Sequence, residues 1–543
     1  MRAFWWCRPI LVSVAAVVGL SPCWTPAPHP PDAADETFSA GRAFAHVEAT
    51  ARKPHPSGSI ENLSVREHLA AQFRQLGLTV TVQDGVERGV RLGNVYAELP
   101  GTNGMAPPVL LVAHYDSVPA GPGAADDMAG VAALLETARA MKAGGRLRNS
   151  LAFLVTDGEE RGLLGAKLFV REHPELWQDV RVVVNLEARG NRGPVLMFET
   201  GAGNRGLVKA FGRVCANPLG TSVSQDVYRR LPNDTDFTVF LRAGKRGYNL
   251  SFYWGLEYYH TARDTPVNLS QRSLQHEGDT VLALAQYLGR ADAAVWEELG
   301  RDEDSVYFTI WRGLLLEYPI GWVPAVTGLV GAAYLGLLAA GTIRRQMRMG
   351  WVLRAALTPL AAIAGAGVLG WGAVALARQA VHLRSRGLFL VGVPHADVIM
   401  VGLILVVALG TAWLQGRCWG GMRSSERLAG ALLGWLALSV VAWRHLPGAS
   451  YLFHGPAVAG AAALALALPI GDGERGIRAG LVCGLLAIPG PLLFAPTLVM
   501  FYQGMTLGLA PGLLALTALV VALVWSGRPR PASPRRAVPQ IRA

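Results

Sequence analysis

Five segments of the sequence carry histidine or carboxylate side chains close to apolar, strand-like runs. In the stretch AHYDSVPAGPGAADDMAG, residues 113–130, His114 and Asp116 follow such a run and Asp126 opens a helix-like pattern. The later segments supply Glu159, Glu160, Glu187 and His260. Buried carboxylates repel one another and are costly to remove from water, and a divalent cation would relieve both problems. These residue types therefore indicate a metal site.

The donor types also indicate which metal fits and what chemistry it would support. Neutral imidazole combined with carboxylate suits zinc, and other divalent ions fit such a set as well. The candidates are enough for two metals that share one carboxylate, and a site with ions about 3.5–4 Å apart activates a shared water. A glutamate outside the metal shell must then take the proton of that water. The neighbours Glu159 and Glu160 supply one residue for each role.

Alternating strands and helices must hold these residues in one place. Strands are predicted at 79–83, 92–98, 109–113, 150–155, 180–186, 194–198 and 248–253, and helices at 60–76, 127–143 and 271–289. This order predicts an α/β domain with a mostly parallel sheet and helices on both faces. In such sheets, ligands bind beyond the carboxyl ends of the strands. The candidate residues follow the strands and would therefore meet at that edge.

The second half of the chain is apolar and indicates an all-α transmembrane domain. Its seven long apolar segments cover about 319–343, 351–377, 388–414, 427–446, 451–470, 479–501 and 505–526. Most exceed the roughly 20 residues that span a bilayer as a helix. Another apolar stretch, at 9–24, is interpreted as a signal-anchor, with a cleaved secretory signal as the alternative. We therefore expect about seven helices in the transmembrane domain and one more span before it.

Charge and cysteine usage complete the predicted organisation. The parts are a cytoplasmic N-terminus at 1–8, the signal-anchor at 9–24, a linker at 25–36, the α/β domain at 37–300, a linker at 301–318, the transmembrane domain at 319–526 and a basic cytoplasmic tail at 527–543. Much of the net charge of +11 lies beside apolar segments, which predicts a lipid bilayer and no nucleic acid as partner. Arginine-bearing loops place the α/β domain outside the cytoplasm. Only Cys215 lies in that domain, which excludes a disulfide framework there.

The ordered motifs HYD, GAADDMAG, DGEERG, NLEARG and YYHTARDT resemble those of the zinc aminopeptidase family, which includes bacterial leucyl aminopeptidases and glutamate carboxypeptidase-like enzymes. The motifs span about residues 90–270. Together with the apolar C-terminal half, the chain is most similar to the membrane-anchored branch of that family, the endoplasmic reticulum metallopeptidase and vacuolar membrane protease type. The resemblance implies the fold of zinc aminopeptidases for the α/β domain.

The resemblance also implies roles for individual residues. One zinc would be held by His114, Asp126 and Glu187, and the other by Asp126, Glu160 and His260, with Asp126 bridging. Glu159 matches the general base, and Asp116 matches the carboxylate that orients the first-site histidine. Many soluble relatives have aspartate at the position of Glu187, whose longer side chain would alter the geometry at that metal. In this family the peptide bond after the bridging aspartate is often cis.

These features predict a membrane-bound zinc metallopeptidase of the aminopeptidase type, with two zinc ions and a peptide substrate. The usage of arginine, alanine and glycine suits a bacterial chain. It predicts the inner membrane, with the peptidase domain in the periplasm, or in the lumen if the chain is eukaryotic. The alternatives are an inactive peptidase-like membrane scaffold or transporter, and a glutaminyl cyclase-like enzyme with one zinc. The presence of Glu159 and the full ligand set argue against both.

Other polar residues have two interpretations each, one in the site and one in local structure: Asp127, Asp234, Asp236, Tyr258, Tyr259 and Asp264. Asp127 would take part in the site or only cap the following helix. Asp264 would orient His260 or shape its turn. His395 and Asp397 repeat an H-x-D pattern beside a predicted span, and we interpret them as interfacial residues.

Overall fold

The computed structural model describes residues 2–105, 108–380, 390–468 and 477–526. An α/β domain comes first and a bundle of long apolar helices follows. The strands are β1 (Thr79–Glu87), β2 (Val90–Leu99), β3 (Val109–His114), β4 (Leu151–Thr156), β5 (Val182–Ala188), β6 (Leu196–Thr200), β7 (Arg246–Phe252), β8 (Ser305–Trp311) and β9 (Leu314–Pro319). The first seven strands fall at the positions predicted from the sequence.

One sheet organises the α/β domain, with its seven strands in the order β1-β2-β4-β3-β5-β7-β6. The pairs β3–β4, β3–β5 and β5–β7 are parallel, so the carboxyl ends of four central strands share one edge. The pairs β1–β2, β2–β4 and β6–β7 are antiparallel. The predicted α/β fold is confirmed, and the sheet is mixed because β2 and β6 run against the others.

The reversal of β2 comes from a tight hairpin turn. Arg88 and Gly89 connect β1 to β2, and both have positive φ angles, 49° and 78°. A two-residue hairpin turn requires this backbone conformation because its twist matches that of the strands. The parallel β3 then lies beyond β4, which pairs with β2 on its other side.

Helices cover both faces of the sheet, as predicted. The helices up to the end of the domain are α1 (Arg2–Leu20), α2 (Ala40–Thr50), α3 (Ile60–Gln75), α4 (Met128–Ala143), α5 (Leu164–Glu172), α6 (Pro174–Trp177), α7 (Arg205–Val214), α8 (Ser222–Tyr228), α9 (Asp236–Arg242), α10 (Gln271–Gly289) and α11 (Ala293–Gly300). Alternate residues of β3 belong to different apolar clusters: Leu111 packs with α4 and α10 residues, and Leu110 with α5 and α9 residues. This alternation follows from the two-residue repeat of a strand that is buried on both faces.

The helices of the second region are α12 (Trp322–Ile343), α13 (Met349–Ala380), α14 (Ala396–Cys418), α15 (Ser424–His445), α16 (Ser450–Ala467), α17 (Ile477–Ala487), α18 (Pro489–Met505) and α19 (Ala510–Ser526). Seven helical segments of the described residues are long and apolar enough to cross a membrane, and one of them, Gly480–Met505, joins α17 and α18. The predicted all-α transmembrane domain is therefore confirmed by length and composition. The tail expected at 527–543 lies outside the described residues.

The segment 301–318 differs from the expected linker. Strands β8 and β9 pair antiparallel across it, and the hairpin packs on α7 and on the membrane helices. Phe308 of β8 stacks on Tyr451 of α16, with ring centroids 4.2 Å apart. Aromatic and β-branched residues such as those in SVYFTIW favour a strand, and here they have apolar surfaces on both sides to cover.

Hydrogen bonds join the α/β domain to the membrane helices close to α8. The Thr221 and Tyr451 hydroxyls lie 2.8 Å apart. The Ser222 hydroxyl donates to the Gly448 carbonyl at 2.7 Å, and the Gly448 N–H donates to the Asp226 carboxylate at 2.7 Å. Because these bonds connect buried or half-buried groups, they fix α8 against the start of α16.

Candidate metal centre and active site

The predicted site residues meet at the carboxyl ends of the central parallel strands. His114 is the last residue of β3, and Glu187 is the penultimate residue of β5. Glu159 and Glu160 follow the end of β4 by a few residues, and His260 lies in the loop after β7. The parallel register places these ends side by side, as expected for a ligand site of an α/β sheet.

The residues form two groups that could each hold a metal ion. His114, Asp126 and Glu187 offer ligand atoms within 4.8 Å of one another, and Asp126, Glu160 and His260 do the same. In the first group, His114 Nε2 lies 3.4 Å from Asp126 Oδ1 and 3.9 Å from Glu187 Oε2. In the second, His260 Nε2 lies 3.1 Å from Asp126 Oδ2 and 2.9 Å from Glu160 Oε1. The two oxygens of Asp126 therefore face different groups, as a bridging carboxylate would.

Burial and mutual charge perturb every ionisable member of the cluster. Burial opposes ionisation of Asp126, yet hydrogen bonds from His114 and His260 lower its pKa to about 2. Burial alone would lower the pKa of His260, but hydrogen bonds to Asp126 and Glu160 raise it to about 10. Burial, followed by the charge of Asp126, raises the pKa of Glu160 to about 7. Hydrogen bonds between the imidazoles and the carboxylates thus offset part of the cost of burial, an electrostatic role that a divalent cation would take over.

Glu159 stands apart from both ligand groups found among the described residues. It lines the same cavity as Asp126 and Glu187. Burial, followed by the charge of Glu187, raises the pKa of the Glu159 carboxyl well above its usual range. A carboxylate beside the ligand groups but outside them is placed as a proton acceptor would be.

Asp116 contacts both His114 and the segment after β4. Its backbone carbonyl lies 3.0 Å from His114 Nδ1, and its carboxylate lies 3.5 Å from the same nitrogen. The carboxylate also accepts hydrogen bonds from the N–H groups of Glu159 and Glu160, at 3.0 and 3.3 Å. Asp116 is therefore placed to orient the imidazole, and it also holds the backbone of the two glutamates.

Asp264 and Asp127 act on the backbone around Asp126. The Asp264 carboxylate accepts hydrogen bonds from the N–H groups of Ala125 and Asp126, at 2.8 and 3.3 Å. This contact fixes the chain that carries Asp126, a role that neither of the two interpretations from the sequence, orienting His260 or shaping its turn, included. Asp127 caps α4 by accepting from Gly130 N–H, and the peptide bond between Asp126 and Asp127 is cis.

A cavity opens beside the two ligand groups. Its polar side carries Asp126, Glu159 and Glu187. The remaining lining residues include Arg189, Leu196, Phe198, Tyr228, Asp234, Tyr253, Tyr259, Met500, Phe501, Gly504 and Met505. Met500, Phe501, Gly504 and Met505 belong to the last turns of α18. A helix of the membrane region therefore forms part of the cavity wall.

Among the residues that line the cavity, Tyr259 had two interpretations from the sequence, and Arg189 and Tyr228 were not predicted to belong to the site. Tyr259 lines the cavity, and its ring stacks on His260 with centroids 3.7 Å apart. The ring of Tyr258 instead faces the Arg263 guanidinium at 4.7 Å. Arg189, two residues beyond Glu187, was identifiable from its place in the NLEARG motif, because the same strand end must bring it to the cavity. No comparable signal precedes Tyr228, whose buried hydroxyl has no hydrogen-bond partner among the described residues.

Of the two aspartates near α9 and the two residues of the H-x-D pattern, only Asp234 lines the cavity. Asp234 lines the cavity, whereas Asp236 is buried and accepts a hydrogen bond from the Thr156 hydroxyl at the end of β4. His395 precedes α14, and Asp397 accepts from the Tyr502 hydroxyl at 2.7 Å. In the described part of the chain, neither His395 nor Asp397 belongs to a metal-binding group.

An α/β sheet with paired histidine–carboxylate groups at its carboxyl edge offers the donor types that metal-dependent hydrolases use. Residues 94–285 match the model of Peptidase family M28, so this part of the chain resembles that family. Endoplasmic reticulum metallopeptidase 1 of Rattus norvegicus is 34% identical over 231 residues, which are 42% of this chain and 26% of the relative. A vacuolar membrane protease of Candida dubliniensis is 30% identical over 300 residues, 52% of this chain and 31% of the relative.

Solved structures overlap with the α/β domain. An aminopeptidase from Aneurinibacillus sp. strain AM-1 is 16% identical and covers 48% of this chain and 96% of its own, with a TM-score of 0.39. A Porphyromonas gingivalis glutaminyl cyclase is 21% identical and covers 47% of this chain and 100% of its own, also with a TM-score of 0.39.

The family match confirms the resemblance read from the motifs. A region similar to a peptidase family is thus followed by seven helical segments, among the described residues, that are long and apolar enough to cross a membrane. The matched regions span only about a quarter to a third of the length of the curated relatives named above.

Proposed function

We propose that this protein is a membrane-anchored aminopeptidase that uses two zinc ions to hydrolyse peptide bonds. The observation that carries the proposal is the position of Asp126, whose two oxygens face two separate histidine–carboxylate groups. Glu159 lies beside both groups and belongs to neither among the described residues. This arrangement supplies metal ligands and a separate proton acceptor at one cavity.

The donor chemistry of the residues fits zinc. Each group offers one imidazole nitrogen and two carboxylates, and catalytic zinc sites commonly have three protein ligands with a further position open. His114, Asp126 and Glu187 would hold one ion, and Asp126 would share the other ion with Glu160 and His260. When bound, the two ions would polarise the scissile carbonyl and make the attacking water more acidic.

The chain's own residues would move the protons and hold the geometry. Glu159 would take the proton of the attacking water and pass it to the leaving amine. The Asp116 carboxylate would hold Glu159 in position by accepting a hydrogen bond from the Glu159 backbone N–H. Asp116 would also fix the orientation of the His114 imidazole. Asp264 would hold the backbone of Asp126, on which both groups depend.

The exopeptidase part of the proposal rests on the resemblance to aminopeptidases and on the charge of the cavity. Asp234, which belongs to neither ligand group among the described residues, lines the same cavity as the ligand residues Asp126 and Glu187. Carboxylates attract a positively charged α-amine, so a free peptide N-terminus fits this end of the cavity better than an internal peptide segment does.

We also propose that the peptidase domain lies outside the cytoplasm. Arginines are more frequent in the loops that would face the cytoplasm than in the loops on the side of the domain. In a bacterial cell this orientation places the active site in the periplasm. Helix α1 packs against α18, as a retained signal-anchor would.

A comparison of the wild type with Glu159→Gln tests the proposal. We expect the wild type in detergent to release N-terminal residues from a peptide library, and Glu159→Gln to reduce the rate by about 10³-fold, because the proton acceptor is lost. The exposed Glu297→Gln is the matched control and should keep the wild-type rate. Zinc content should be the same in all three proteins.

The products separate hydrolysis from the alternatives. Hydrolysis releases free amino acids, whereas glutaminyl cyclisation releases ammonia and leaves the peptide length unchanged. Equal cleavage by the wild type and Glu159→Gln would disprove the assigned proton acceptor. A wild type that binds zinc but cleaves no peptide would favour the inactive scaffold.

A further inference from the structure

The membrane region contributes directly to the wall of the catalytic cavity. Met500, Phe501, Gly504 and Met505 lie on α18 or at its end, and all four line the cavity that contains Glu159. Residues 500 and 504, and likewise 501 and 505, are four apart and share one face of the helix. The face is apolar throughout, and it lies across from domain residues rather than lipid.

Packing holds this wall in place against the peptidase domain. Met500 is 7% exposed and forms an apolar cluster with Leu196 and Leu219, against which Phe198 and Tyr253 also pack. At Gly504 a Cβ atom would lie 3.5 Å from the Tyr253 ring, so helix and ring are already close to contact. A cavity bounded in this way has a defined width at its apolar end.

A second membrane contact reaches the cavity through α8. Thr221, Ser224 and Tyr228 line the cavity, and the same helix is hydrogen-bonded to the segment before α16 through Ser222 and Asp226. Two walls of the cavity therefore depend on the position of membrane helices. A region that served only as an anchor would need neither contact.

We infer that α18 completes the substrate cavity and makes the enzyme select peptides with a large apolar side chain next to the scissile bond. This inference rests on the proposed peptidase function and adds the substrate class. Asp126, Glu187 and Glu159 occupy the polar side of the cavity. The apolar side, formed by Met500, Phe501 and Tyr253, receives the side chain. Burying an apolar side chain against these residues would favour leucine over alanine.

The test uses the full chain in detergent and peptide pairs that differ only by alanine or leucine next to the scissile bond, on either side. We expect Met500→Ala to lower kcat/KM for the leucine peptide by about tenfold, mainly through KM, because the lost contacts bind the side chain. The alanine peptide should keep its kcat/KM within about twofold. The matched control is Met400→Ala, a methionine of α14 that is 4% exposed and does not line the cavity.

A second variant changes the cavity in the opposite direction. Gly504→Leu would place its side chain in the space beside Tyr253, and α18 accepts leucine because Gly504 lies within the helix. Narrowing the apolar end should again reduce cleavage of the leucine peptide more than that of the alanine peptide. This variant removes no packing atoms, so its result stands even if Met500→Ala impairs folding.

Three results would overturn the inference. Unchanged leucine-to-alanine ratios in both variants would show that α18 does not contact the substrate. Equal losses for both peptides would show that α18 only supports the fold. A wild type that cleaves no peptide would reject the proposed function itself, and with it this inference, and that failure is distinguishable because it requires no variant.

Discussion

The peptidase domain and the membrane region both bury polar groups, but they satisfy them in different ways. In the membrane region, the buried hydroxyls of Thr327, Thr497 and Thr517 each donate to the backbone carbonyl four residues earlier in the same helix. In the peptidase domain, four histidine and carboxylate side chains from separate segments converge on Asp126. The first pattern satisfies each group locally, and the second brings together like charges that require a partner.

This difference distinguishes buried polar groups that only support the fold from buried polar groups that indicate a functional site. A hydroxyl that bonds to its own helix needs nothing else and indicates only a buried helix face. Several carboxylates gathered in a buried place raise the free energy of the fold unless a cation or protons neutralise them. The cost of gathering like charges therefore falls at the edge of the sheet, where catalysis is proposed.

Replacing a buried histidine in each region should give the largest contrast. His114→Ala removes a proposed zinc ligand, so we expect loss of metal from the first group and a fall in peptide hydrolysis of more than about 100-fold. His454, which lies 2.8 Å from the Thr327 hydroxyl in the membrane region, is the comparison. His454→Ala should leave zinc content and kcat/KM unchanged and lower only the midpoint of thermal unfolding. Zinc loss in both variants would remove the distinction between the regions.

Replacing Asp264, whose carboxylate holds the backbone of Asp126, should change zinc binding less than replacing His114 does. Asp264→Asn keeps the size of the side chain but weakens its bonds to the Ala125 and Asp126 N–H groups. Because residues that orient metal ligands typically contribute 10–100-fold, we expect a fall of about 10-fold or more in zinc affinity, measured by competition with a chelator. The exposed Asp35→Asn provides the control. An unaltered zinc affinity would mean that Asp264 only shapes the loop.

The smallest expected difference between the two regions is in the free energy of unfolding when one buried threonine in each is replaced by valine. Thr156→Val leaves the buried Asp236 carboxylate without its hydroxyl donor, which should lower the free energy of unfolding by about 1–3 kcal/mol. Thr517→Val removes a bond to a carbonyl of its own helix and should lower the free energy of unfolding by less than about 1 kcal/mol. Denaturant unfolding in detergent measures both. A larger loss for Thr517→Val than for Thr156→Val would contradict local satisfaction in the membrane region.

The local elements of both regions could be predicted from the sequence. Strand β3, helix α4 and helix α10 have apolar repeats that determine their faces, and the predicted bounds agree with Val109–His114, Met128–Ala143 and Gln271–Gly289 within a residue or two. The long apolar spans were equally clear, because hydrophobic length alone defines them. The candidate site residues were found because each follows a strand end in a recognisable motif.

Contacts between distant segments could not be predicted. Met500 and Gly504 belong to an apolar span, and nothing in their sequence distinguishes a cavity wall from a lipid-facing surface. The contact of Gly504 with Tyr253 joins positions about 250 residues apart and depends on how the two regions dock. Asp264 likewise bonds to backbone N–H groups rather than to a side chain, and such a bond leaves no residue pattern at Ala125.

Metal content together with hydrolysis tests the central claim most directly. The full chain of 543 residues, purified in detergent, should contain about two zinc ions by elemental mass spectrometry. Removal of the metal with a chelator should abolish release of N-terminal residues from peptides, and added zinc should restore it. Full peptide hydrolysis by protein that contains no divalent metal would contradict the account.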